Sequence, residues 1–281
     1  MRQTPFDRVK QTLSGRVPPS CLQLLPGKWE KIGTVLVLKL PEALLPYKEA
    51  VGEVYGEQLG CMTTLRDLGG IAGEYRRPEV EFLWGSHETE TMHRENGVSF
   101  LLDPQKVMFS SGNMAERKRM GQISNHRETV VDLFAGIGYF TIPMAVHSKP
   151  QRIYACEVNP AALEYLRKNI VVNNVTDIVK PLSGDNRLVA PKGCADRVLV
   201  GYLQESDRFL PVAFESLRDQ QGILHYHALL SATTSPERAL LRVQRVAESY
   251  GRRATLLMMK TIKSYAPGID HVVFDLRIGN V

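Results

Sequence analysis

The chain has 281 residues, 43% of them hydrophobic, and a formal net charge of +5 at pH 7. These values predict a soluble globular protein with one large domain or two modest ones. No apolar run approaches the roughly 18 residues of a membrane-spanning helix, and the N-terminal segment has no stretch typical of a signal peptide. We therefore expect neither export nor a membrane partner, and the mild basic excess favours an anionic partner such as nucleic acid.

The cysteines are far apart in the chain and form no CxxC pair: they are Cys21, Cys61, Cys156 and Cys194. This spacing indicates neither a disulfide framework nor a zinc ribbon. It is typical of a protein in a reducing compartment, and we expect a cytoplasmic location.

Residues 1–124 predict a small α+β domain. Its extended segments are TVLVLKL, CMTTLRD, EVEFLWG and TMHRENGVSFLLD. In the last of these, Asn96-Gly97 between alternating residues predicts a hairpin. The periodicity of PEALLPYKEAVGEVYGEQL predicts a helix despite Pro46, and the sheet is expected to be largely antiparallel.

Residues 125–281 alternate strands and helices with short connections, from TVVDLF to DHVVFDLRI. This alternation predicts a parallel, doubly wound sheet of the α/β class. The last two strands are separated only by SYAPGID, so we expect an antiparallel last strand. The chain shows no internal repeat and no low-complexity tract.

The stretch VVDLFAGIGYFTIP predicts a ligand cradle after the first strand of this second domain. Ligands of doubly wound sheets bind beyond the carboxyl ends of the strands. Asp132 closes the strand, and Gly136 and Gly138 allow a tight turn and a close approach of the backbone to a ligand. A glycine turn by itself is equally compatible with a plain connection between a strand and a helix.

Polar residues at the next two strand ends favour the functional interpretation. Glu157 lies where a carboxylate accepts hydrogen bonds from a ribose diol, and Asn159-Pro160 begins the following helix. Asp185 and Asn186 offer acceptors and an amide suited to adenine. Together these positions predict an adenosine site.

The cofactor is expected to be S-adenosyl-L-methionine and not a dinucleotide. Thr141 occupies the place of the third glycine of G-x-G-x-x-G. Asp132 would repel a pyrophosphate, whereas it suits the ammonium group of a methionine moiety.

Four segments carry a more specific resemblance. DPQKVMFSSGNMAERKRMG, VVDLFAGIGYFTIP, ACEVNPAALEYLRKNIVVNN and GDNR resemble the family that contains tRNA (guanine-37-N1) methyltransferase and the wybutosine-synthesising aminocarboxypropyltransferase. The resemblance covers nearly the whole chain. It implies a Rossmann-like class I methyltransferase fold in the second domain, preceded by the smaller α+β domain.

The segment after the fourth strand favours the transferase branch of that family. The methyltransferase branch has Asn-Leu-Pro there, whereas this chain has VGYLQES. Gly201 of this segment corresponds to a glycine of the transferase branch. The fifth strand, GILHYH, also resembles that branch. The departure from the expected pattern is Tyr202-Leu203-Gln204, which is less rich in proline and serine.

The resemblance implies transfer of the 3-amino-3-carboxypropyl group from S-adenosyl-L-methionine to 4-demethylwyosine at position 37 of tRNA-Phe, with methylthioadenosine as by-product. Two alternatives stay open at this point: a guanine-37 N1-methyltransferase and a non-catalytic RNA-binding relative. The sequence identifies no general base. We expect a monomer that recognises the anticodon loop.

By resemblance, the cofactor is bound by residues on both sides of the cradle. Ser110 and Arg117 would contact it, and a guanidinium is suited to gripping the methionine carboxylate. Glu157 and the Asp185-Asn186 pair would hold ribose and adenine. The remaining predicted cofactor-binding residues are Asp132, Phe134, Ala135, Gly136, Gly138, Asn159 and Gly201.

A cluster of basic residues predicts an RNA-backbone surface. Lys118 and Arg119 follow Arg117 on a predicted helix, and Arg76 and Arg77 lie upstream. A solvated helix face with pairing to Glu116 is the alternative for this helix.

His225 and His227 point to one face of a strand, which permits a metal pair or a proton acceptor. No third ligand has suitable spacing, so we predict no metal.

Overall fold

The computed structural model describes residues 3–72, 75, 77–231 and 233–280. The chain divides into two compact units, Met1–Ser111 and Gly112–Val281. None of the described helices has the length and apolar character required to span a membrane.

The N-terminal unit combines short helices with two sheets. Its helices are α1 (Pro5–Leu13), α2 (Pro19–Leu22) and α3 (Lys48–Gln58), and a 3-10 turn, Glu42–Tyr47, precedes α3. Its strands are β1 (Glu30–Ile32), β2 (Val35–Leu38), β3 (Thr63–Ala72), β4 (Arg77–Gly85), β5 (Thr91–Glu95) and β6 (Val98–Leu102).

The sheet β1-β2-β3-β4 is antiparallel except for one parallel pair, β2 with β3. This pair is parallel because helix α3 crosses between the two strands, as a helical connection requires. Strands β5 and β6 form the predicted hairpin, in which Asn96 and Gly97 both have positive φ angles, 48° and 75°. The helix predicted despite Pro46 is present, with the proline in the preceding 3-10 turn.

The C-terminal unit alternates strands and helices. Its helices are α4 (Met114–Met120), α5 (Thr141–His147), α6 (Pro160–Val172), α7 (Asn186–Val189), α8 (Leu210–Ser216) and α9 (Pro236–Ser249). Its strands are β7 (Thr129–Asp132), β8 (Arg152–Glu157), β9 (Val179–Ser183), β10 (Arg197–Val200), β11 (Gly222–Ser231), β12 (Arg252–Ala266) and β13 (Ile269–Asn280). The 3-10 turns Ser206–Phe209 and Arg218–Gln220 flank α8.

The seven strands form one sheet in the order β12-β13-β11-β10-β7-β8-β9. The five strands from β7 to β11 are mutually parallel, and the last strand, β13, pairs antiparallel with β11 and β12. The prediction of a parallel sheet with an antiparallel last strand is confirmed. The strand order reverses between β7 and β10, which is the position where such sheets bind ligands.

Each unit has its own hydrophobic core. In the N-terminal unit, helices α1 and α3 bury Leu13, Val51 and Tyr55 against β2. In the C-terminal unit, helices α8 and α9 bury Phe214 and Val243 on one face of the sheet.

Helix α4 packs within the C-terminal unit. Arg119 donates to Asp275 of β13 at 2.6 Å between Nη1 and Oδ2. The sequence predicted the division after residue 124, whereas this ion pair joins the helix to the sheet and places the division before it.

Candidate cofactor site

The loop between β7 and α5 is shaped by two glycines. Gly136 and Gly138 have φ angles of 58° and 100°. A Cβ at Gly136 would lie 2.4 Å from the Tyr139 ring, and one at Gly138 would lie 2.4 Å from Ile142. Only glycine fits these positions, so the loop turns back tightly at the carboxyl edge of the sheet.

Asp132 is hydrogen-bonded to Phe134 in this loop and to Thr141 at the start of α5. Its carboxylate accepts from the Thr141 hydroxyl at 2.7 Å and from the Phe134 amide at 3.1 Å. Burial raises the pKa of this carboxyl to about 6 against the hydrogen bonds from Thr141 and Phe134, which lower it. The side chain is fully buried beneath the loop, and its contact with the methionine ammonium stays a prediction.

Glu157, at the end of β8, links the loop to the next helix. Its Oε2 accepts from the Gly136 amide and its Oε1 from the Asn159 amide, both at 2.7 Å. Burial raises the pKa of Glu157 although both amides lower it. Each carboxylate oxygen has a second lone pair, so the predicted bonds to a ribose diol remain possible alongside these two.

Asp185 and Asn186 begin helix α7 beyond β9. Asp185 caps the helix by accepting from the Arg187 amide at 2.9 Å, and its carboxylate also pairs with the Arg187 guanidinium. The Arg187 hydrogen bond lowers the pKa of Asp185. The Asn186 side chain is buried and donates to the Leu133 carbonyl at 2.9 Å, whereas its Oδ1 has no partner.

An aromatic group follows β10 beside the loop. Phe134 stacks on Tyr202 with ring centres 5.1 Å apart, and Phe209 meets the Phe134 ring edge-on at 4.7 Å. Gly201 precedes Tyr202, and a Cβ there would lie 3.4 Å from the Phe140 ring.

Two other predicted residues serve the scaffold. The Ala135 amide donates to the Cys156 carbonyl at 3.0 Å, so this amide is already engaged by the sheet and not directed at a ligand. The Asn159 side chain caps α6 by accepting from the Ala161 amide at 3.0 Å.

Asn169 is a loop-holding residue that the sequence interpretation missed. It is fully buried on α6 and donates to the Ile137 carbonyl at 3.0 Å. The available signal was an amide placed at helical spacing on the apolar face of Leu163 and Leu166.

The arrangement fits the adenosine part of S-adenosyl-L-methionine. An unpartnered buried acceptor, Asn186 Oδ1, suits a ligand donor such as an exocyclic amino group. The glycine loop brings backbone close to Glu157, the residue suited to ribose.

The two residues expected to hold the methionine tail lie on either side of the division between the units. Ser110 is half-buried in the segment after β6. Arg117 lies on α4 and is 1% exposed, which makes it an enclosed guanidinium.

Arg119 belongs to an internal ion network and not to a solvent-facing RNA surface. Its guanidinium donates to both oxygens of Glu116 and to Asp275. The pKa of Arg119 is raised: burial opposes the shift, but the hydrogen bonds that its guanidinium donates to Glu116 and Asp275 outweigh it. The prediction that Arg119 contacts phosphate is therefore corrected, because tertiary packing supplies its anions.

The network continues through His225. Its Nδ1 lies 2.5 Å from Asp275 Oδ1, and its Nε2 lies 2.5 Å from Arg197 Nη1. Arg197 also donates to Glu128 at 2.8 Å. Because arginine only donates, Nε2 must accept and Nδ1 must carry the proton, and burial lowers the pKa of His225.

The other predicted RNA-binding residues remain at the surface or outside the described part. Lys118 and Arg77 are exposed. Arg76 lies outside the described residues.

His227 and His271 form a second buried pair. Their Nδ1 and Nε2 atoms, respectively, are 2.9 Å apart, and the His227 ring stacks on Phe140 at 5.1 Å. Within the described residues no group of three or more His, Cys, Asp or Glu side chains has the arrangement of a metal site.

The comparisons with known proteins agree with this geometry. Residues 91–255 match the TRM5/TYW2 methyltransferase domain, and residues 9–89 match the TYW2 N-terminal domain. The chain belongs to the TRM5/TYW2 family. This family membership confirms the resemblance of the four sequence segments.

The chain is similar in sequence to one relative and in structure to two solved structures. The tRNA(Phe) (4-demethylwyosine(37)-C(7)) aminocarboxypropyltransferase of Pyrococcus horikoshii is 41% identical over 96% of both chains. The crystal structure of P. horikoshii TYW2 in complex with MeSAdo has a TM-score of 0.88 at 38% identity, covering 98% of this chain and 100% of the other. M. jannaschii TYW2 in complex with AdoMet has a TM-score of 0.73 at 39% identity, covering 90% and 100%.

Proposed function

We propose that this protein transfers the 3-amino-3-carboxypropyl group of S-adenosyl-L-methionine to 4-demethylwyosine at position 37 of tRNA-Phe and releases methylthioadenosine. The observation that carries the proposal is the full-length similarity to the P. horikoshii enzyme of that name, 41% over 96% of both chains. The related structures with AdoMet and MeSAdo correspond to the donor and to this by-product.

The cradle supplies the adenosine contacts. Glu157 accepts from the ribose, Asn186 Oδ1 accepts from the adenine amino group, and the Phe134–Tyr202 stack borders the loop. When bound, the donor supplies a sulfonium whose neighbouring carbons are electrophilic. The protein's task is to present the methionine γ-carbon, and not the methyl group, to the acceptor base.

Arg117 is the proposed carboxylate ligand of the methionine tail. Its enclosure allows a guanidinium to act with little competition from water. We expect Arg117→Lys to bind methylthioadenosine with wild-type affinity but to bind S-adenosyl-L-methionine about tenfold more weakly, because lysine loses the bidentate geometry. Calorimetry with both ligands measures the difference, and equal affinities for wild type and variant would exclude Arg117.

The acceptor is a tRNA, and Lys118 and Arg77 are proposed to contact its backbone near the anticodon loop. Both are exposed cations, one on α4 and one on β4. We propose that the protein acts as a monomer in the cytoplasm, where its tRNA substrate is present.

Guanine-37 N1-methyltransferase is the second candidate, because the family model covers both activities. One experiment separates them. The protein is incubated with S-adenosyl-L-methionine labelled in the carboxypropyl portion and with tRNA carrying 4-demethylwyosine, and the small-molecule product is identified by mass. We expect methylthioadenosine and label in the tRNA; S-adenosylhomocysteine would assign the protein to the methyltransferase branch, and no turnover would favour a non-catalytic RNA-binding protein.

A further inference from the structure

The pair formed by His227 and His271 stands at the ligand edge of the sheet. Val200, the last residue of β10, is paired with Tyr226, so His227 is level with Gly201 just beyond the strand end. Phe140 links this position to the glycine loop, since its ring stacks on His227 and lies against Gly201. One aromatic ring thus separates the pair from the cradle.

Each ring of the pair has one nitrogen in the shared hydrogen bond and one that is buried without a partner. The unpartnered atoms are His227 Nε2 and His271 Nδ1. Buried polar atoms of this kind call for a water, a ligand or a functional explanation. By contrast, both nitrogens of His225 are engaged, by Asp275 and Arg197.

The pair is neutral, so each ring has one N–H and one lone pair through which a proton can pass without either ring becoming charged. Burial lowers the pKa of His227 well below its ordinary value, and burial lowers that of His271 to about 4, with Lys263 contributing. In a neutral pair one ring donates and the other accepts across the 2.9 Å bond. Consequently one outer nitrogen has a proton and the other has a lone pair, which is the arrangement of a proton relay.

The proposed reaction must release a proton. The acceptor carbon forms a bond to the donor γ-carbon, and the bond from that carbon to sulfur breaks with its electron pair left on sulfur. The hydrogen on the acceptor carbon then leaves as a proton. The two carboxylates closest to the loop are less suited to receive it, because Asp132 is fully buried beneath the loop and Glu157 is the proposed ribose ligand.

We infer that His227 and His271 relay this proton out of the site, an inference that rests on the proposed function. The proton reaches His227 Nε2 through a hydrogen-bonded water, and the proton on His227 Nδ1 passes to His271 Nε2. The proton on His271 Nδ1 then passes to a second water on its way to solvent, since this atom is itself buried. Both rings remain neutral, and the hydrogen bond between them is reversed. Exchange with water restores the starting state before the next turnover.

The test compares His227→Phe and His271→Phe with His87→Phe. Phenylalanine keeps a ring at each position but removes both nitrogens. His87 is an exposed control for the substitution itself, and it stacks on Phe82 at 4.1 Å as His227 stacks on Phe140. We expect the two relay variants to lower the single-turnover transfer rate at saturating donor by about tenfold or more. Their affinity for methylthioadenosine should stay within about twofold of wild type, as should both properties of His87→Phe.

Two further measurements separate a relay from a packing role. Imidazole should restore part of the rate of His227→Ala, whereas benzene, which fills a cavity but accepts no proton, should not. Nitrogen-15 spectra of histidine-labelled wild type should show two neutral rings joined by one N–H···N bond at neutral pH, and this readout is independent of turnover and of the folding of any variant.

The relay is overturned if His227→Phe retains the wild-type rate, if its rate and its methylthioadenosine affinity fall together, if benzene rescues as well as imidazole, or if either ring is charged at neutral pH. Failure of the proposed function gives a different result. Wild type would then release S-adenosylhomocysteine, and the same variants are assayed for methyl transfer, which also displaces a proton from the base.

Discussion

Glu157 connects three parts of the cofactor site through one carboxylate. It holds the Gly136 amide and the Asn159 amide and is the proposed ribose ligand. We expect Glu157→Gln to weaken methylthioadenosine binding by roughly 10- to 30-fold, about 1.5–2 kcal/mol, because an amide accepts through only one of its two ends. Calorimetry measures this, with the exposed Glu164→Gln on α6 as control; unchanged affinity in the folded variant would remove Glu157 from the site.

The buried carboxyl of Asp132 leads to a prediction about how stability depends on pH. Its carboxyl pKa rises from 3.8 to about 6 in the folded protein because of burial. The folded state therefore binds this proton more tightly than the unfolded chain, and the associated stability is complete below pH 3.8 and is lost as the pH rises through about 6.

Asp132→Asn abolishes that titration. Relative to wild type, we expect the free energy of unfolding of the variant to improve by on the order of 2–3 kcal/mol between about pH 4 and pH 7. Urea unfolding at both pH values measures the change, with the exposed Asp177→Asn as control. A difference from wild type that is constant with pH would contradict the assigned shift.

At the scale of elements, helix α4 presents two neighbouring basic residues with opposite surroundings. Arg119 is tied to Glu116 and Asp275, whereas Lys118 is exposed. We expect Arg119→Ala to lower the free energy of unfolding by roughly 3 kcal/mol, since it removes the cation that is hydrogen-bonded to both Glu116 and Asp275. Lys118→Ala should change stability by less than about 0.5 kcal/mol.

The affinity for tRNA tests the role of Lys118 separately from its effect on stability. Lys118→Ala should lower tRNA affinity and flatten the plot of log affinity against log salt by about one unit, because one phosphate contact is lost. Urea unfolding and filter binding at several salt concentrations give both quantities. An unchanged salt slope for Lys118→Ala would identify it as a solvated residue only.

At the scale of the whole molecule, the proposed adenosine contacts all belong to one of the two compact units. Glu157, Asn186 and the glycine loop lie within Gly112–Val281, which has a core of its own. A ligand at 100 times its dissociation constant stabilises the state that binds it by about 2.7 kcal/mol.

Methylthioadenosine should therefore slow amide exchange in β7, β8 and the loops that follow them, and should leave the N-terminal strands β1–β4 unchanged. Hydrogen exchange followed by mass spectrometry measures both regions in one sample. Equal slowing of amide exchange in both units would contradict this expectation and would show that the two units open as one cooperative body.

Local patterns in the sequence were sufficient for the elements and for the edge of the sheet that carries the site. The Asn96-Gly97 hairpin, the glycine loop and the caps at Asn159 and Asp185 depend on residues within a few positions of one another, where turn geometry and helix capping act. The alternation of strands and helices placed Glu157 and Asn186 at neighbouring strand ends for the same reason.

Only the tertiary structure decided which polar groups are enclosed and with which partners. His225 and Asp275 are 50 positions apart in sequence, His227 and His271 are 44 apart, and Arg119 and Asp275 are 156 apart. The sequence shows charge and spacing, but burial and partner choice depend on how strands β11 and β13 and helix α4 meet in space. For that reason the sequence by itself did not show that Arg119 has two carboxylate partners or that Asp132 is enclosed beneath the loop.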